Sequence, residues 1–182
     1  MFRNPVAKAT GAASIAAIIV LIVVAGLGNQ ALENWRATQI TSGNGWLVDV
    51  VRPLELAGWR FSAVNGESTA QWVAPLLFNI AFLILTFFLV DISARDAGHV
   101  SLLFGTWSAV TLAGGGAGLI CTPLAFQGVG SPASENYATT LTSGLVLGFL
   151  VGIIAAVVAG LIASPRGEKV VNGSIPMSGG MM

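Results

Sequence analysis

The amino-acid sequence predicts an all-α integral membrane protein with four transmembrane helices, both termini in the cytoplasm and an aromatic extracytoplasmic loop between the first two helices. Hydrophobic residues make up 54% of the 182 positions and charged residues only 9%, whereas soluble domains average about 25% charged residues. Four segments are apolar over the roughly 20 residues that a helix needs to cross a bilayer core. A water-soluble chain of this length could not bury so much apolar surface, so these observations exclude a soluble domain.

The apolar segments place the spans, in chain order, at about residues 11–28, 72–90, 100–122 and 141–162. The first segment follows Arg3 and Lys8, a pattern that also describes a cleaved secretory signal. The residues that come next, at 29–31, fit a cleavage site poorly, so an uncleaved signal anchor is the favoured interpretation. We expect one membrane domain over residues 1–164 and a flexible cytoplasmic tail over residues 165–182.

The orientation in the membrane follows from the basic residues, which favour the cytoplasm when they lie in short loops. Five basic residues lie in the two tails and in the short loop between the second and third spans: Arg3, Lys8, Arg95, Arg166 and Lys169. The other three lie in the long first loop, where acidic residues offset them. Both termini are therefore predicted to be cytoplasmic. Abundant Ala, Gly and Val with little Lys is typical of high-GC bacteria, which favours a bacterial plasma membrane.

The predicted outer loop, residues 29–71, is rich in tryptophan. Four of the five tryptophans lie in it or at its edge: Trp35, Trp46, Trp59 and Trp72. Tryptophan is favoured at membrane interfaces because its ring is apolar and its N–H group is polar. Apolar residues from Trp46 to Gly58 recur with a helical period, which predicts an amphipathic segment on the outer leaflet. Two interpretations stay open: an anchor that fixes helix tilt, or a docking surface for an extracytoplasmic partner that includes Arg36 and Arg60.

The fourth span carries small residues at every fourth position, in one stripe: Thr140, Gly144, Gly148, Gly152, Ala156, Gly160 and Ser164. Helix association in lipid depends on close packing, which small residues allow. The third span adds Gly114 and Gly118 at the same spacing. This pattern predicts tight helix contact. It leaves open whether the third and fourth spans pack on each other or whether the stripe binds another subunit.

The predicted spans lack the groups that catalysis or ion coupling requires, because no charged residue lies within them. Asn79 is the only strongly polar side chain in the middle of the second span, where we expect it to hydrogen-bond a neighbouring helix. His99 is interpreted as an interfacial polar residue and Cys121 as a small apolar one. No nucleotide-binding, zinc or nucleophile motif occurs. We therefore expect no enzyme activity, no catalytic, cofactor or metal site, and, at zero net charge, no nucleic-acid partner.

The overall layout has three recognisable parts: a short basic N-terminal tail, an outer loop with Trp35-Arg36 and Trp59-Arg60, and a glycine-striped last helix. This layout resembles that of small actinobacterial four-span membrane proteins, in particular the auxiliary subunit of the mycobacterial lipid importer of the mammalian-cell-entry (MCE) type. The resemblance covers the architecture of most of the chain. It implies a stabilising or regulatory role beside a permease and a lipid-conducting tunnel, and it supplies no catalytic residues.

These observations predict a non-enzymatic accessory subunit of a larger membrane complex, with lipid or fatty-acid transport as the favoured setting. The glycine stripe of the fourth helix and the outer loop would contact other integral membrane subunits. One alternative is a structural subunit of a respiratory complex. Another is a small homo-oligomeric channel or lipid carrier, against which the scarcity of polar pore-lining residues argues.

Overall fold

The computed structural model describes residues 5–29, 56–59, 68–95 and 97–163. Within these residues the chain forms four helices, each long and apolar enough to cross a membrane, and no strand. The helices are α1 (Pro5–Leu27), α2 (Thr69–Ala94), α3 (His99–Ala125) and α4 (Ala133–Ala163). The predicted all-α fold with four membrane spans is confirmed. The predicted positions of the two termini relative to the membrane stay a prediction, and the tail at 165–182 lies outside the described residues.

The helices extend beyond the apolar segments that predicted them. The clearest case is α4, which begins at Ala133 rather than near residue 141. Its first turns are polar but well suited to a helix: Glu135 lies in the first turn, where its charge complements the helix dipole. The hydroxyl of Thr139 donates to the carbonyl oxygen of Glu135 at 2.8 Å. Hydropathy marks the part of a helix that suits lipid, whereas backbone hydrogen bonding continues beyond it.

Helix α2 begins at a capping box. The backbone N–H of Gln71 donates to Ser68 Oγ at 3.2 Å, and the backbone N–H of Ser68 donates to Gln71 Oε1 at 3.0 Å. This reciprocal pair satisfies two donors that a helix start otherwise leaves free. It places Trp72 inside the helix. The sequence places Trp72 at the edge of the outer loop and at the start of the second span, and the structure has the helix begin three residues earlier, at Thr69.

Helices that are consecutive in the sequence pack side by side. The most extensive contact joins α3 to α4, followed by α2 with α3 and then α1 with α2; α1 touches α4 over a shorter stretch and α3 hardly at all. This is the arrangement of an up-and-down bundle. Between α3 and α4, Gly128 has a φ of 80°, a conformation that glycine adopts without steric cost.

The interior of the bundle is mostly apolar, with a few buried polar side chains such as Asn79 and Thr86. Its largest fully buried side chains are mostly aromatic or aliphatic: Phe78, Phe82, Leu102, Leu147, Val20, Val24, Val90, Val110 and Val151. Bulky aliphatic residues cover the outside of the helices, as a lipid environment requires. Of the four helices, α1 is the least covered by the rest of the chain.

Candidate functional site

The glycine stripe of α4 lies directly against α3. A Cβ atom added to Gly114 would collide with the carbonyl oxygen of Gly144, and one added to Gly144 would collide with that of Gly114. Gly118 faces the carbonyl oxygen of Thr140 in the same way. At these positions backbone touches backbone, so a side chain of any size is excluded. We call this contact between α3 and α4 the glycine seam.

The glycine seam continues toward the other end of the two helices. A Cβ atom on Gly148 would lie 2.6 Å from the carbonyl oxygen of Val110, and one on Gly152 would lie 2.9 Å from that of Trp107. Gly160 faces the side chain of Leu103, which is more adaptable than backbone. All predicted helix-packing residues are buried: Gly114, Gly118, Thr140, Gly144, Gly148, Gly152, Ala156 and Gly160.

Two hydrogen bonds fasten the glycine seam. The hydroxyl oxygens of Thr122 and Thr140 lie 2.5 Å apart where the helices first meet. Farther along, Trp107 Nε1 donates to the carbonyl oxygen of Phe149 at 3.3 Å, and the two rings meet edge to face with centroids 5.0 Å apart. Side chains therefore secure the contact that the glycines make possible.

The structure decides between the two interpretations of the stripe that the sequence leaves open. Helix α3 occupies the glycine face of α4 along its length, so another subunit has no access to that face. The predicted clamp of a larger assembly through Gly144, Gly148 and Gly152 is therefore corrected. A short connection over residues 126–132 makes α3 the nearest available partner, and the small residues build the bundle itself.

Most of the predicted docking loop lies outside the described residues, including Trp35, Arg36, Trp46 and Arg60. Residues 56–59 are described, and they lie against the bundle. Ala57 is fully buried, and Trp59 is partly buried against the apolar core. Trp59 therefore packs partly against the bundle, and the choice between an anchor and a docking surface stays a prediction. No local sequence signal distinguishes this tryptophan from the others in the loop.

The segment 56–59 covers the C-terminal end of α1. The backbone N–H of Trp59 donates to the carbonyl oxygen of Gly28 at 3.3 Å. A Cβ atom on Gly28 would lie 2.5 Å from the carbonyl oxygen of Ala57 and 2.6 Å from the Trp59 nitrogen. Glycine at position 28 thus permits a close approach between two segments that are distant in the sequence.

Asn79 holds the same segment from the side of α2. Its side chain is fully buried, and its Nδ2 donates to the carbonyl oxygen of Gly58 at 2.9 Å. The expectation that Asn79 bonds another helix is therefore wrong, since its partner is a loop carbonyl. The Oδ1 atom of Asn79 and the Nε1 atom of Trp59 are both buried without a hydrogen-bond partner.

A second polar contact joins α1 to α2 at the opposite end of the bundle. Thr10 Oγ1 donates to Asp91 Oδ1 at 3.2 Å. Arg95 Nη2 donates to Asp91 Oδ2 at 2.8 Å, one helical turn farther along α2. Asp91 is thereby neutralised by a neighbour that stays mostly exposed. This cluster pairs α1 with α2 and contains no nucleophile.

The described residues offer little for catalysis or metal binding. They contain no group of three or more His, Cys, Asp or Glu side chains placed to hold a metal ion. The thiol of Cys121 is buried and donates to the carbonyl oxygen of Gly118 at 3.2 Å. His99 is the first residue of α3, and its side chain lies outside the described part of the chain.

Comparison of the chain with protein-family models, with curated proteins and with solved structures finds no match.

Proposed function

We propose that this chain is a non-enzymatic accessory subunit of a larger membrane complex and that a transmembrane helix of another subunit packs on the outward face of α1. The observation that carries the proposal is the exposure of that face. Helix α1 packs mainly on α2, so much of its surface is left uncovered. Ile18 and Ile22 point outward with 56% and 64% of their surface exposed.

Two glycines of α1 lie on the same uncovered side. A Cβ atom added to Gly11 or Gly26 has no atom of another element within 4 Å. Glycine costs about 1 kcal/mol relative to alanine inside a helix. In the glycine seam that cost is offset by close backbone contact within the chain. At Gly11 and Gly26 the described residues supply no such contact, which supports a close approach by a helix of another subunit.

The interior of the bundle supports a scaffolding role. Aromatic and aliphatic side chains fill it, and Asp91, at the end of α2, is neutralised by Arg95. A bundle of this kind holds a fixed shape and presents its outer surface. We place it beside a lipid or fatty-acid transporter in a bacterial plasma membrane, because the layout of the sequence resembles the auxiliary subunit of the MCE-type lipid importer.

The test is affinity purification of the tagged chain from its native membrane in mild detergent, with mass spectrometry of the proteins that co-elute. Stoichiometric permease, ATPase and lipid-tunnel subunits support the lipid transporter. Cytochrome subunits would instead assign the chain to a respiratory complex. A chain that elutes alone contradicts the accessory role and makes a self-associating channel or carrier the leading function.

A matched pair of variants tests the α1 face. Gly26→Leu adds a side chain to the outward face without a clash inside the chain, whereas Gly130→Leu makes the same change at an open position in the α3–α4 connection. We expect Gly26→Leu to lose the co-eluting subunits while it stays inserted and thermally stable, and Gly130→Leu to keep them. Full retention by Gly26→Leu would show that the partner contacts a different face.

A further inference from the structure

We infer that Leu56–Trp59 forms a re-entrant segment that docks into the bundle and that the side-chain amide of Asn79 holds it there. Three contacts meet at this point: the Asn79 amide on Gly58, the Trp59 N–H group on Gly28, and the backbone of Ala57 against Gly28. The inference goes beyond the accessory role and does not depend on it.

The segment lies at the depth of the membrane-spanning helices. Asn79 lies about three helical turns, or about 15 Å, from the first residue of α2. Helix α2 has 26 residues, more than the roughly 20 that cross a bilayer core, so we infer that Asn79 lies within the span and not at its end. Fewer residues separate Thr10 from Leu27 than separate Asp91 from Thr69. The hydrogen bond between Thr10 and Asp91 places these two residues at the same height along the bundle axis. Measured from there, the C-terminal end of α1 does not reach as far along the axis as the N-terminal end of α2. The segment 56–59 occupies the space beyond the C-terminal end of α1, beside the first turns of α2.

Two backbone polar groups of the segment form hydrogen bonds with the bundle. Non-helical backbone at membrane depth is tolerated where protein buries it and satisfies its hydrogen bonds. Ala57 and Gly58 are buried. The carbonyl oxygen of Gly58 accepts from Asn79, and the N–H group of Trp59 donates to Gly28. These two bonds among the described residues meet the condition for a re-entrant element, and Asn79 supplies one of them.

Burial of the Asn79 side chain costs free energy. A buried amide is expensive in an apolar environment unless it is hydrogen-bonded. Phe78 and Phe82 lie beside it on the buried face of α2, and its bond to Gly58 is what offsets its burial. One further acceptor on Asn79 and the indole N–H of Trp59 stay unsatisfied. Since unsatisfied buried groups reduce the stability of the docked state, loss of the bond between Asn79 and Gly58 should make the segment open more often.

The experiment measures how fast a hydrophilic maleimide labels a single cysteine in the segment. Cys121 is the only cysteine of the chain, so Cys121→Ser gives a cysteine-free background. Ala57→Cys reports on the docked segment, and Ser68→Cys, at an exposed position, gives the rate for an open site. Reconstitution in nanodiscs exposes both membrane faces, so the result does not depend on the orientation of the chain.

We expect Ala57→Cys to react far more slowly than Ser68→Cys in the otherwise unchanged protein. Asn79→Leu should raise the Ala57→Cys rate by about tenfold, the change expected when one buried hydrogen bond is lost. Thr86→Val is the matched control. Thr86 lies on the same buried face of α2, and its hydroxyl has no partner, so its removal should leave the rate unchanged.

Three outcomes would overturn the inference. Ala57→Cys could react as fast as Ser68→Cys, which would show that the segment is not docked. Asn79→Leu could leave the protection intact, or Thr86→Val could expose Ala57→Cys equally, and either result would remove the specific role of Asn79. Thermal unfolding checks that each variant is folded. If Asn79→Leu does not fold, Asn79→Ala replaces it, and the comparison of Ala57→Cys with Ser68→Cys still tests the docking.

Discussion

Thr122 and Thr140 form a hydroxyl–hydroxyl hydrogen bond across the glycine seam, with 2.5 Å between their oxygens. Each hydroxyl also lies near a carbonyl of its own helix: that of Thr122 near Gly118 at 2.9 Å, and that of Thr140 near Asn136 at 3.1 Å. A hydroxyl has one hydrogen to donate. One of the two threonines therefore donates across the seam while the other donates within its helix.

Because of this arrangement, we expect the threonine pair to contribute only modestly to the free energy of unfolding. Thr140→Val should lower the free energy of unfolding by about 0.5–1.5 kcal/mol, because the freed Thr122 hydroxyl can donate to its own helix. A double-mutant cycle with Thr122→Val should give a coupling of about 0.6 kcal/mol, a typical value for hydrogen bonds between membrane helices. The measurement is unfolding in mild detergent, and a coupling near zero would mean that the two hydroxyls act independently.

The closest part of the glycine seam should not tolerate even a methyl group. Gly144→Ala places a Cβ atom against the carbonyl oxygen of Gly114, so α3 and α4 must separate. We expect a loss of about 1–3 kcal/mol, the usual cost of overpacking. Gly26→Ala is the control, since its Cβ atom contacts no other element. Equal thermal stability of the two variants would contradict the backbone contact.

Trp107 should contribute through both its ring and its N–H group. Trp107→Phe keeps an aromatic ring beside Phe149 but loses the hydrogen bond to the Phe149 carbonyl, at a cost of about 1 kcal/mol. Trp107→Ala also removes the ring from the contact with Gly152 and should cost about 3 kcal/mol or more. Thermal unfolding of both variants in one detergent separates the two effects, and equal losses would show that the ring adds nothing.

Thr86 offers a change that we expect to leave stability intact or improve it. Its hydroxyl is buried and has no hydrogen-bond partner. Valine has nearly the same shape, so Thr86→Val removes an unsatisfied polar group without leaving a cavity. We expect unfolding at the same temperature as the parent or higher. A clear loss of stability would reveal a hydrogen bond that Thr86 makes in the membrane.

The sequence predicts the number and type of the helices well, because each span carries its own apolar signal. The spacing of Gly144, Gly148 and Gly152 also predicts close packing correctly, since only small residues allow it. Small residues carry no information about their partner, so α3 could not be chosen over another subunit from the stripe alone. The partner depends on the fold of the whole chain.

The capping box of α2 can be predicted from the sequence, whereas the bond between Asn79 and Gly58 cannot. Ser68 and Gln71 form a capping box that is visible in the sequence, and its recognition would have placed the start of α2 at Thr69 rather than near residue 72. The bond between Asn79 and Gly58 has no such signal. It joins a loop to a helix that follows it, and its existence depends on where α1 ends relative to α2.

The two halves of the bundle differ in the length of chain that joins their helices. Helices α3 and α4 are separated only by residues 126–132, so the glycine seam closes a short loop at low entropic cost. Helix α1 precedes the other three described helices, but residues 28–68 separate it from α2, its main neighbour. The C-terminal end of α1 can be covered only after residues 56–59 and Asn79 have both been synthesised. Helix α1 is therefore synthesised before its main packing partner, and we expect that during this interval its surface can meet helices of other chains.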